Sequence, residues 1–66
     1  MDPQVEQIGL ASMRDYLTGE TSVSIVVARL HAIPRQDARH ILRTHRAELQ
    51  ALNPARSVIL ESIVGT

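Results

Sequence analysis

With 66 residues, no Cys, Phe or Trp and one aromatic side chain, Tyr16, the chain has room for one domain, residues 1–66, around a thin aliphatic core, because so short a chain buries only about 60 % of its unfolded surface. Without Cys, disulfides and most zinc sites are excluded, and association with a second subunit is the remaining common way to stabilise such a core. Seven basic residues balance seven acidic ones, which excludes binding of polyanions by bulk charge and leaves only the placement of charge to carry an electrostatic function.

No apolar run approaches the roughly 18 residues of a membrane span, and Met1-Asp2-Pro3-Gln4 has neither the basic start nor the apolar stretch of a signal peptide. A cytoplasmic protein with no membrane association is the expectation.

Asp2-Pro3 opens the first helix, since Asp can cap free amides and Pro at the first helical position gives up an N–H that has no partner there. Its apolar side runs through Val5, Ile8, Met13 and Tyr16, with Leu10 and Leu17 beside it. Gly9 within it either marks close approach of another helix or is simply tolerated. Thr18-Gly19 closes the element, so it spans about 3–18. In the next stretch, Ser22 to Val27 alternates like a short strand, yet Val23, Val26, Val27 and Leu30 fall at i, i+3, i+4 and i+7. A helix over 22–32 is the reading adopted, because a lone strand would lack a partner. Ile33-Pro34 ends it.

The third helix is expected over 34–52, with Ala38, Leu42, His45, Leu49 and Leu52 in a narrow packing stripe. All seven basic residues are Arg, and Arg35, Arg39, Arg43 and Arg46 lie in a second stripe interrupted in sequence by a single acid, Asp37. Arg alone suits bidentate recognition of phosphate, guanine or carboxylate. Asn53-Pro54 repeats the opening device, placing a fourth helix over 54–64 that stops at Gly65. Its apolar residues, including Val58, Ile59, Leu60, Ile63 and Val64, cover more than one face, which points to a dimer interface. A strand over 58–64 pairing across a dimer is the rival. The fold class expected is therefore all-α, three to four short helices forming a homodimer.

Catalytic and metal chemistry find little support. His31, His40 and His45 are too far apart along the helices to share an ion. Nucleophilic Cys, a Gly-rich phosphate loop and clustered carboxylates are all absent from the sequence. Neither an enzyme nor a cofactor or small-molecule substrate is expected. His45, in the packing stripe, reads as a hydrogen-bonded interface histidine whose protonation below about pH 6 would weaken association.

Residues 27–43 resemble the helix-turn-helix motif of small bacterial and phage repressors over about twenty residues. Val27 and Ala28 match the apolar-then-alanine pair of its first helix, Ile33 its apolar turn position, and Ala38 and Ile41 its two buried recognition-helix positions. His31 stands where a large apolar residue is usual, Ala32 where Gly commonly takes a left-handed turn, and Pro34 where a Ser or Thr cap is typical. The resemblance implies a dimer that places its second helix in the DNA major groove. Arg35 and Gln36 would then lie near base edges, Arg39, Arg43 and Arg46 towards phosphates, and His40 on the same face. The competing expectation is a small phage- or plasmid-type helical adaptor or inhibitor that binds a host regulatory protein or enzyme, since Arg is also enriched at protein interfaces.

Overall fold

The computed structural model describes residues 1–65. Five helices follow one another: α1 (Pro3–Leu17), α2 (Val23–His31), α3 (Arg35–Thr44), α4 (Arg46–Leu52) and α5 (Pro54–Val64). Among the described residues there is no strand, so both ambiguous stretches are helical, from Val23 in 22–27 and throughout 58–64.

Local capping chemistry sets most of the helix ends. Asp2 accepts a hydrogen bond from the Gln4 amide at 2.8 Å, Ser22 from Ile25 at 3.4 Å and Asn53 from Arg56 at 3.1 Å. Each such cap contributes about 1 kcal/mol. Gly65 ends α5 in the left-handed region at φ 76°, and Gly19 turns the chain after α1 at φ 86°. By contrast, Ala32 is right-handed at φ −78°, and no described non-glycine residue has positive φ. The short α2–α3 connection is therefore made without the left-handed residue that the motif commonly uses.

The expected helix over 34–52 is two helices. His45 sits at φ −105° and ψ 17°, in the bridge region outside helical geometry, and separates α3 from α4. Thr44 and His45 are among the weaker helix formers, which makes this the soft point. Breaking at His45 lets both halves stay against α1, at the expense of the stripe's end: Leu52 is 45 % exposed.

α1 is the hub, packing against each of the other four helices. Its Met13, Tyr16 and Leu17 meet Val26 and Leu30 of α2, Ala38, Ile41 and Leu42 of α3, Leu49 of α4, and Leu60 and Val64 of α5 in one core cluster. Gly9 is buried under the side chains of Ile41 and Ile33. A methyl group there would lie 2.6 Å from Cδ1 of Ile41 and 3.2 Å from Cδ1 of Ile33. The glycine is thus a close-approach residue rather than a tolerated one.

Candidate nucleic-acid interface

On α3 the side chains of Arg35, Gln36, Arg39, His40 and Arg43 fall within an arc of about 140°. Four are exposed and Arg39 is half-buried. The opposite side, Ala38, Ile41 and Leu42, is sealed in the core. Helical periodicity thus separates packing from presentation along α3.

Two of the guanidinium groups are held by the end of α5. Arg35 donates from Nε to the Val64 carbonyl at 3.3 Å and from Nη2 to the Gly65 carbonyl at 3.5 Å. Arg39 donates from Nη2 to the same Gly65 oxygen at 2.6 Å. These bonds satisfy carbonyls that a helix C-terminus leaves open, and cations are favoured at that end of the helix dipole. Carbonyl partners fix the guanidinium groups without neutralising them. Among the described residues no carboxylate lies within ion-pair distance of Arg35, Arg39 or Arg43.

Arg46 does not belong to this face. It lies on α4, beyond the break, and pairs with Glu61 of α5 at 3.2 Å. Two acids of α1 and α4 are engaged elsewhere: Asp15 with Arg29 at 3.5 Å, and Glu48 with Arg14. Beside Arg35 a cleft of about 370 Å³ opens between the end of α2 and the end of α5, lined by Leu30, His31, Ile33, Arg35, Ile63 and Val64.

α2 is turned slightly away from the arrangement the helix-turn-helix resemblance implies. Val26 and Leu30 are its buried residues, Val27 is half-buried, and Ala28 and His31 face solvent. Ala38 and Ile41 of α3 are buried as the motif has them, and Ile33 packs against the core.

Of the residues expected at a dimer interface, Leu60 and Val64 are inside the domain's own core, at 0 % and 3 % exposure, and Ile63 lines the cleft. Only Val58 and Ile59 point outward. His45 is half-buried at the α3–α4 junction, with Nδ1 3.9 Å from Glu48 and Nε2 buried without a partner. Sequence reasoning missed Arg56, which stacks over the Tyr16 ring at 5.0 Å and donates to the Tyr16 carbonyl at 2.7 Å. Forty residues separate the two in sequence, so no local pattern could join them.

The hydrogen bond from Arg14 holds the Glu48 carboxyl below the usual carboxylate range, aided by the charges of Arg14 and His45 and opposed by desolvation. A depressed folded-state pKa contributes stability above the unfolded value and loses it as pH falls through the folded one. Glu48 should therefore titrate below an ordinary Glu in a carboxyl-resolved NMR titration, and return to the ordinary range in Arg14→Gln. An unchanged midpoint in that variant would remove the pair as the cause.

Among the described residues, no group of three or more His, Asp or Glu side chains is placed to hold a metal ion, and no helix is long and apolar enough to cross a membrane. Comparison with protein-family models, characterised proteins and solved structures finds no match to this chain.

Proposed function

We propose that the protein is a small regulator that binds duplex DNA as a dimer through the outer face of α3. One observation carries this reading: Arg35, Arg39 and Arg43 share that face with Gln36 and His40, and among the described residues none of the three is in an ion pair. Guanidinium groups held in place before binding lose less conformational freedom on meeting phosphate or a guanine edge. Anchored Arg35 and Arg39 suit phosphate contacts, whereas the freer Gln36 and Arg43 suit base edges. Arg46, engaged by Glu61, contributes less.

A net charge of zero sets a modest affinity that falls with salt. With two phosphate contacts from each subunit, four per dimer, log K should fall against log salt with a slope of about −3.6. Fluorescence anisotropy on the protein's own upstream region and on unrelated duplexes measures this directly. No binding at about 50 mM salt with protein in excess would overturn the proposal.

The adaptor reading uses the same Arg-rich face together with an apolar groove, and a shallow groove lies between α1 and α2, lined by Ile8, Ala11, Ser12, Asp15, Arg29 and Ala32. Ile8 is 56 % exposed there. A pull-down from host lysate with and without nuclease separates the two readings: retained nucleic acid favours the first, a single nuclease-insensitive protein band the second.

A further inference from the structure

We infer that the outer face of α5 receives a second copy of this chain, the two α5 helices packing antiparallel about a two-fold axis between Val58 and Ile59. The inference rests on the dimeric half of the function proposed above and is independent of whether α3 binds DNA.

The outward residues of α5 are Pro54, Ala55, Val58, Ile59 and Ser62, all exposed. They occupy an arc of about 140°, and none is charged. The two charged residues of this helix flank that arc and are engaged within the domain: Arg56 lies over the Tyr16 ring, and Glu61 pairs with Arg46. Val58 is 65 % exposed and Ile59 43 %. Two adjacent branched aliphatic side chains with no charge between them form an apolar patch that a second helix can cover.

The pattern is self-complementary. Around an axis between Val58 and Ile59, Val58 of one subunit meets Ile59 of the partner subunit, and Ala55 meets Ser62 of the partner subunit. Aliphatic contacts fall at the centre and small residues flank them, which lets the helices approach closely. One patch serving both subunits is what an isologous dimer requires. With no charge to match, the face lacks the electrostatic complementarity by which a different protein would be selected.

The arginines choose the direction. Arg35 and Arg39 cluster at the C-terminal end of α5. A parallel pair would bring two such clusters together, whereas an antiparallel pair sets them at opposite ends of a helix about 16 Å long and aligns the helix dipoles favourably. It also carries the two α3 faces to opposite ends of the dimer. The patch is smaller than the roughly 800 Å² per partner of a standard interface, so a micromolar dimer is expected.

Sedimentation equilibrium of the whole chain, without DNA, from about 10 μM to 1 mM tests the inference. The unaltered protein should dimerise across this range. Val58→Glu and Ile59→Arg should each raise the dissociation constant about 100-fold or more, because each buries an unpaired charge at the centre of the contact. Combined in one chain they should recover at least about tenfold of that loss, since the introduced carboxylate of each subunit then faces the introduced guanidinium of the other. Both positions are exposed in the single chain, and circular dichroism checks that each variant folds. A monomer at the highest concentration overturns the inference, as does a dimer indifferent to Val58→Glu. A double variant no better than either single overturns the antiparallel register. Because no DNA is present, a failed DNA-binding assay leaves these outcomes intact.

Discussion

Replacing Ile41 by Ala is expected to leave the domain largely unfolded at room temperature. Ile41 is fully buried, and its Cδ1 would lie 2.6 Å from a methyl group added at Gly9 of α1. Truncating a core Ile to Ala costs about 2–5 kcal/mol. A core of this size supplies only about 3–5 kcal/mol in all. Urea unfolding followed by circular dichroism reads the loss, and a variant that keeps a full cooperative transition with a midpoint near that of the parent would refute it.

The same contact gives a sharper test through Gly9. Alone, Gly9→Ala gains about 1 kcal/mol of helix propensity but forces its methyl group against Ile41, and overpacking costs about 1–3 kcal/mol. The expected result is no gain or a net loss. Ile41→Val costs about 0.5–1.5 kcal/mol by itself but removes the obstructing Cδ1, so in that background Gly9→Ala should stabilise. Additivity of the two changes within about 0.5 kcal/mol would show that Gly9 does not act through Ile41.

Arg43→Ala and Arg39→Ala should separate presentation from support on α3. Arg43 is exposed and has no ion-pair partner among the described residues. Its removal should shift stability by no more than about 0.5 kcal/mol and weaken DNA binding about tenfold, at roughly 1–3 kcal/mol per specific contact. Arg39 holds the end of α5 through the Gly65 carbonyl. Losing a charge-assisted hydrogen bond costs about 1.5–3 kcal/mol, so Arg39→Ala should lower both the unfolding midpoint and the affinity. If Arg43→Ala binds DNA like the parent while Arg39→Ala loses binding only in proportion to its loss of fold, the outer face of α3 is scaffold and not a binding surface.

Much of the fold was legible in the residues themselves. Asp2-Pro3, Ser22 and Asn53-Pro54 start helices, Gly19 and Gly65 stop the chain turning right-handed, and the buried residues of α3 follow its periodicity. These are contacts among residues within about four positions of one another, so the sequence by itself determined them. The tertiary structure alone decided the rest. It broke the long third helix at His45, so that both halves pack against α1. Gly9 became the crossing point of α1 and α3 only once Ile41 packed on it.

The charged stripe was redistributed in the same way. Arg35 and Arg39 were tied to carbonyls 29 and 26 residues away, Arg46 was paired with Glu61, and Arg43 was left facing solvent. Of the expected interface residues, Leu60 and Val64 were taken into the core, while Val58 and Ile59 stayed outside. Helical periodicity specifies which side chains share a face. Which face meets another helix depends on how five short elements fill one small volume, and that is settled by shape and burial summed over the whole chain.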